Sequence, residues 1–518
     1  MNSGKIIVDP DKLAAGFLNE YIFDPGGEPK MGVARYTLRH WQGQFCHWYK
    51  GRYKRVSDSD MKLKVVKFLH TLNNYPDAEL MKISTNLTSN ILLCLAATDG
   101  VYMDSDRKVG TWPDAREELG ILTFVFDNAM VMLQNGKPTE IPLNPDYFNM
   151  VRLPFSYDPA ATYEGWTKYL GEIFQLKQLA KNQEGFDGDS GEFEETYDYV
   201  PDELSASILS EYTGLCLTSD TSFQKILGLI GPKRSGKGTY GRILRLLVGP
   251  ENVAAPTLAD LTTDFGLQGL LDKTVAVIGD ANIGGKAGDV LRAVERLKSI
   301  SGEDAQSVNR KGMEFRDVDK LDVRFVIMAN ELQNLQDPTG ALSSRFIYLI
   351  LTQSFEGREN THLFKDLRRE LPGIFNWAIA GLNNLYKRGY FLESQAGRTT
   401  RRDAEKLGSS VISFVEDCCI LKNNESAHCQ NVYNAYKIWI EEEGRGKLGR
   451  TRFYEELTRA FPIIIRRKCR PNYGTNDQNY GTNDQNTHLN YGTNDENPVW
   501  TFEGIDLNQE WKARIYEK

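Results

Sequence analysis

Residues 225–248 read KILGLIGPKRSGKGTYGRILRLLV. An apolar run, Lys225 to Ile230, passes into the glycine-punctuated GPKRSGKGT and then into RILRLLV, whose apolar residues recur with helical spacing. Strand, glycine loop and helix is the context in which a loop of this kind binds phosphate. A triphosphate concentrates negative charge, and exposed N–H groups at a helix N-terminus meet that charge without moving any side chain. Gly231 and Gly236 let the backbone curl tightly enough for those groups to converge. Lys237 adds a point charge for the β- and γ-phosphates. The loop formed by Gly231, Pro232, Lys233, Arg234, Ser235, Gly236, Lys237, Gly238 and Thr239 is therefore read as an ATP site. Position 238 is Gly where a Ser or Thr is usual, so the hydroxyl facing Mg²⁺ is assigned to Thr239. The plain alternative is a glycine turn with an incidental lysine.

Outward from this loop, Mg²⁺ needs an acidic partner at the carboxyl end of another strand. TVAVIGD, Thr274 to Asp280, supplies one in Asp280, a position that helix capping alone also explains. VRFVIMANE, residues 323–331, is a further apolar strand ending in an amide, Asn330, placed to orient water and sense the γ-phosphate; a left-handed turn residue is the alternative. With Phe346 to Leu351, these strands alternate with helical stretches. That rhythm predicts an α/β fold with a parallel sheet.

The whole chain has 518 residues and a formal net charge of −8. That length implies about three compact units, and the charge balance carries no global basic excess of the kind that marks many nucleic-acid binders. Seven scattered cysteines without a Cys-x-x-Cys pair fit reduced thiols. Cys418, Cys419, His428 and Cys429 have no usual zinc-ligand spacing. No charged stub followed by an apolar stretch opens the sequence, and no run approaches the roughly 20 apolar residues that span a bilayer. A soluble, cytoplasmic protein without membrane contact is expected.

Three regions are predicted. Residues 1–200 form an α-rich mixed N-terminal domain, with a helix at Met61–Leu72, a hairpin across Trp41–Val56 turning near Lys50-Gly51, and an acidic linker at 184–199. Trp41, Phe45, Trp48, Tyr49 and Tyr53 in that hairpin are read as core. Residues 201–392 form the ATPase domain. Residues 393–518 carry a polar linker, then helices at Val411–Cys419, Gln430–Glu442 and Thr451–Phe461 with strands at Ile463–Arg466 and Val499–Phe502, which suggests a winged helix. Between these strands NYGTNDQ occurs at Asn472 and Asn479 and NYGTNDE at Asn490, a repeat loop over 472–496 too polar to bury a core.

GPKRSGKGT, AVIGDAN, RLKSISGEDAQSVNRK, FVIMANE and GALSSRF, taken as an ordered set, resemble superfamily 3 helicases of the phage/plasmid and poxvirus-like primase–helicase type. The likeness runs from about Asp202 to Tyr390. A looser one covers LRHWQGQFCHWYKGRYKRV, similar to the family's helicase-associated N-terminal domain, and the helix and wing after Arg450. The resemblance implies a modified AAA+ core, a P-loop ATPase forming a hexameric ring that moves along single-stranded or forked DNA in replication of a phage, plasmid or other mobile element, alongside other replication proteins. It makes Arg345 an arginine finger acting on the neighbouring subunit's phosphates; a salt bridge at a sheet edge is the alternative. It places Asn309, Arg310 and Lys311 in a DNA-contacting hairpin; a solvated turn is the alternative. Relatives often follow the metal-binding acid with a second acid, but residue 281 is Ala, so Glu303 and Asp304 are considered as water-activating substitutes.

Arg445 to Arg470 holds nine Lys and Arg against two Glu. Arg450, Arg452, Arg459, Arg466, Arg467 and Lys468 are accordingly DNA-binding candidates, with a solvated charged face as the alternative. The paired acids Asp9/Asp11, Asp58/Asp60 and Asp104/Asp106 lie in loop-like contexts, and no primase activity is expected. Two other functions fit the same residues: a P-loop nucleotide or small-molecule kinase, suggested by GKGT, and an ATP-binding, DNA-binding initiator that does not separate strands.

Overall fold

A computed structural model describes residues 9–23, 35–75, 81–113, 122–134, 136–179, 197–279, 287–331, 342–444, 446–469 and 499–516. The fold is mixed α/β and contains a parallel sheet. Two compact units are drawn from Met1–Gly284, Glu295–Glu331 and Ile347–Gly397, and from Gly285–Val294, Leu332–Phe346 and Arg398–Lys518.

The first unit centres on five strands: β1 (Ile226–Ile230), β2 (Val253–Ala254), β3 (Val275–Ile278), β4 (Arg324–Ala329) and β5 (Phe346–Ile350), in the order β2-β3-β4-β1-β5. The β2–β3, β3–β4 and β4–β1 pairs are parallel. Every residue of β1 and β4 is buried. This burial explains why both read as unbroken apolar runs instead of alternating ones, because a parallel sheet is covered on both faces. Four helices matter here: α1 (Glu164–Ile173), α2 (Glu203–Cys216), α3 (Lys237–Val248) and α4 (Leu371–Arg388). Trp166 and Tyr169 from α1, Tyr212 from α2, Tyr240 from α3 and Phe375 from α4 share one hydrophobic core with Leu229 and Leu349.

The predicted division at residue 200 does not separate two cores. Phe124, Phe126, Phe155 and Trp166 belong to the same cluster as the sheet, whereas Phe17, Leu38, Met61, Leu69 and Leu95 form a cluster of their own further toward the N-terminus. The hairpin there is Gln44–Tyr49 with Arg52–Val56, and Lys50 and Gly51 both take positive φ, 49° and 85°, as a two-residue turn of this hand requires. Trp41, Phe45 and Tyr53 are buried, while Tyr49 is 54% exposed. The acidic stretch ends differently from the prediction. Tyr197–Pro201 is a strand paired with Gln175–Leu179; residues 184–196 lie outside the described residues.

In the second unit, α5 (Ser410–Cys418), α6 (Cys429–Glu442) and α7 (Arg450–Ala460) pack on an antiparallel sheet of β6 (Cys419–His428), β7 (Ile465–Cys469) and β8 (Val499–Leu507), in the order β6-β8-β7. Phe414, Tyr436, Phe453, Leu457 and Phe502 form its core. Strand β6 escapes sequence reading because KNNESAH has no apolar alternation; its register comes from β8. The polar stretch read as a linker contains a helix, Gln395–Gly408. His428 caps α6 by accepting a hydrogen bond from the Gln430 N–H at 3.3 Å, and no group of three or more His, Cys, Asp or Glu suited to a metal occurs among the described residues. The repeat loop, 472–496, lies outside them.

Candidate phosphate-binding site and basic surfaces

The loop begins where the β1–β4 ladder ends: Gly231 N–H donates to Ala329 O at 3.2 Å. A Cβ at Gly231 would stand 2.5 Å from Leu351 O, so the strand can leave the sheet here only without a side chain. Arg234 and Gly236 take positive φ, 59° and 100°, and α3 starts at Lys237. Gly236 O accepts from Thr239 N at 2.8 Å and from Tyr240 N at 3.2 Å, closing the first turn. Ser235 is buried, while Pro232, Lys233 and Arg234 are exposed. Two contacts from the segment after β5 tie down the outer arm, Ser354 Oγ to Lys233 O at 2.9 Å and Phe355 N to Arg234 O at 3.1 Å.

Lys237 folds back into the loop. Its Nζ donates to Gly231 O at 2.5 Å, Pro232 O at 2.8 Å and Ser235 Oγ at 3.1 Å. Burial pushes its pKa down from the ordinary lysine value, since desolvation disfavours the ammonium form. Carbonyl dipoles thus hold the cation where an anion would bind it more strongly. Gly238 is exposed and nothing lies within 4 Å of where its Cβ would be, so this departure from Ser or Thr is not imposed by space. The Thr239 hydroxyl, one residue on, is half-buried in the first turn and meets Arg242 Nη2 at 3.4 Å. It offers an oxygen donor of the kind Mg²⁺ prefers.

Asn330 is exposed and immediately follows β4, beside the loop's origin, because Ala329 pairs with Ile230. Strand β3 runs parallel to β4 on its other side and ends at Ile278, so the chain leaves it at the same edge of the sheet. Asp280 itself lies outside the described residues.

Glu303 and Asp304 are not brought to this edge. Glu303 accepts from Lys320 Nζ at 2.8 Å and from the Thr221 hydroxyl, and Thr221 precedes β1 by a few residues. The pair therefore stands at the opposite end of a five-residue strand, roughly 17 Å from the loop. Hydrogen bonds from Lys320 and then Thr221 hold the Glu303 carboxyl below its usual range. Asp304 is exposed, and its N–H donates to Ser299 O at 3.1 Å. The water-activating role is corrected accordingly: Glu303 makes a structural ion pair.

Arg345 ends a short 3₁₀ turn and directly precedes β5, an edge strand; Leu351, just past that strand, donates its N–H to Ile230 O at 2.7 Å. Asn309, Arg310 and Lys311 occupy the tip of a hairpin, Gln306–Arg310 with Met313–Val318, turning at Gly312 with φ 72°. Val308 is fully buried, whereas Asn309 and Lys311 are exposed. Lys311 N–H donates to Gln268 Oε1 at 3.1 Å.

In the second unit, Arg450, Arg452, Arg459, Arg466, Arg467 and Lys468 are all exposed. Arg450 meets Gln430 Oε1 at 3.1 Å, Arg452 pairs with Glu456 at 3.0 Å, and Arg467 pairs with Glu503 at 3.4 Å. Arg466 and Lys468 lie opposite Phe502 and Trp500. The Arg466 guanidinium stands 4.7 Å from the Tyr454 ring centroid and 4.5 Å from that of Trp500, a cation–π arrangement. Trp500, 45% exposed, was not singled out from sequence. Neither was Tyr169, whose hydroxyl donates to Gly236 O at 3.0 Å. No local pattern links a tyrosine in α1 to a loop so far along the chain.

Residues 229–345 match the model of a family of unknown function (DUF5906), and residues 409–498 match the poxvirus D5 protein-like family. No curated protein matches. Among solved structures, the chain is similar to the A-form apo structure of the NrS-1 C-terminal region, at 12% identity over 88% of each chain with a TM-score of 0.38. It is also similar to the apo structure of that region's residues 305–718, at 12% identity over 70% of this chain and 88% of the other, with a TM-score of 0.32. These two structural likenesses support no functional argument. No helix among the described residues is long and apolar enough to cross a membrane.

Proposed function

We propose that the protein is an ATP- and Mg²⁺-dependent DNA helicase of a replication system, its first unit a P-loop motor of AAA+ type and its second a winged-helix DNA-binding module. One observation carries this reading: a glycine loop opens a helix at the edge of a parallel sheet, with Asn330 just past the end of the adjacent strand and the strand leading to Asp280 next in order. The match of residues 409–498 to the poxvirus D5 protein-like family supports the same reading.

In this function the phosphates of ATP displace the loop carbonyls from Lys237, and the N–H groups opening α3 bind the same charge. Thr239 Oγ1 and the Asp280 carboxylate would hold Mg²⁺, which supplies charge neutralisation at the β- and γ-phosphates. Asn330 orients the attacking water. Arg345, at the start of an edge strand, acts on ATP held by the next copy in a closed hexameric ring. Asn309, Arg310 and Lys311 grip phosphates of the translocated strand, and the basic face of α7 and β7 holds duplex or fork DNA.

Lys237→Ala tests the motor directly. It removes the phosphate contact and no core volume, so ATP hydrolysis should be lost while the circular dichroism spectrum and melting temperature stay near wild type. Retained turnover would overturn the reading. A second reading, an ATP-holding initiator without turnover, is favoured by Ala281 together with the placement of Glu303 away from the loop. It is distinguished by ATP binding with no hydrolysis on addition of single-stranded DNA.

A further inference from the structure

Gly236 precedes α3 with φ 100°, a backbone conformation that glycine adopts readily because it carries no Cβ. A trans peptide points its C=O and the next N–H in opposite directions. When Gly236 O is held toward the body of α3, Lys237 N–H is aimed outward from the helix end, where an anion can meet it. Thr239 and Tyr240 N–H groups supply part of that hold. The remainder comes from outside the motif.

Tyr169 and Ile173 lie one helical turn apart on α1 and both face Gly236. The Tyr169 hydroxyl donates to Gly236 O at 3.0 Å, and a Cβ at Gly236 would stand 2.8 Å from Ile173 Cγ2. Tyr169 is 2% exposed, its ring 5.1 Å from that of Trp166. Helix α1 is itself anchored at its start, where Gly165 N and Trp166 N donate to the two Glu370 carboxylate oxygens at 3.0 and 2.9 Å. The hydroxyl therefore rides on a fixed scaffold and has one direction in which to donate.

We infer that Tyr169 is a positioning residue for the nucleotide site: its hydroxyl pins the Gly236 carbonyl and so pre-orients Lys237 N–H toward the β-phosphate. This rests on the reading of residues 231–239 as an ATP site. The effect is therefore expected for nucleotides that carry a β-phosphate, ADP and ATP, and not for AMP.

The test uses the full chain and calorimetric titration with ADP and with AMP, for wild type and Tyr169→Phe. Phe keeps the buried ring and deletes the donor. Losing one hydrogen bond's worth of order should weaken ADP binding about fivefold. AMP binding and the nucleotide-free melting temperature should change little, and ATP turnover should show a raised KM with kcat retained. Equal ADP affinity in Tyr169→Phe and wild type overturns the positioning role, as does a loss shared equally by AMP and ADP, which marks general loosening. A wild-type protein that takes up no ADP overturns the phosphate-loop reading first and this role with it.

Discussion

Glu303 and Lys237 are both polar side chains drawn into partial burial, and their surroundings give them different work. Lys237 is held by the carbonyl oxygens of Gly231 and Pro232 and by Ser235 Oγ, a state that an incoming anion improves. Glu303 has Lys320 and Thr221, which satisfy its carboxylate already. Its pKa is lowered from 4.5, so its contribution to stability is present in full above that unfolded value and is lost as pH falls through the lower folded one. The pair is partly exposed and screened, worth about 1 kcal/mol or less. Glu303→Gln should therefore cost no more than that in urea denaturation at pH 7, with the difference from wild type shrinking below about pH 4, and should leave ATPase activity unchanged. A collapse of turnover in this variant would restore Glu303 to the chemistry.

Helices α2 and α4 are elements whose closeness depends on small residues. A Cβ at Gly381 would meet Ser210 C at 2.5 Å and Glu211 N at 2.7 Å, both backbone atoms, and Ser210 Oγ donates to Trp377 O at 2.8 Å. Backbone cannot give way as the end of a side chain can, so Gly381→Ala must push the helices apart. A destabilisation of about 1–3 kcal/mol is expected, read as a lower denaturation midpoint at unchanged slope. Because Glu211 is buried and paired with Arg388 across the same two helices, the separation should also weaken that pair. A midpoint equal to wild type would show that the helices relax without cost. The same reasoning explains Gly381 in the middle of α4 and Gly214 in the last turn of α2, whose Cβ would stand 2.2 Å from Ala378 O, where helix propensity alone disfavours glycine.

At the scale of the whole molecule, the proposed motor is incomplete in one chain. Arg345 directly precedes β5, and the finger role proposed for it acts on ATP held by a second copy. Mixing Arg345→Ala subunits with Lys237→Ala subunits should restore part of the ATPase activity that each lacks alone, since a mixed interface pairs an intact loop with an intact arginine. Activity that stays absent at every ratio would assign Arg345 to a structural role at the sheet edge.

Much of the sheet and of the loop was legible from local sequence. Burial on both faces writes itself as unbroken runs such as ILGLI and RFVIMA, and a strand-to-helix turn needs glycine at Gly231 and Gly236 for reasons of backbone geometry that act over a few residues. What remained hidden depended on contacts distant in the chain. Strand β6 is polar and exists through pairing with β8, Phe124, Phe126, Phe155 and Trp166 join the sheet's core, Glu303 finds Lys320 at the wrong end of the strands for catalysis, and Tyr169 reaches Gly236 from another helix. Local sequence determined backbone conformation and which faces must leave water. Tertiary structure alone decided which of the remaining polar groups meet, because hydrogen bonds and ion pairs act over a few ångströms in space whatever their separation along the chain.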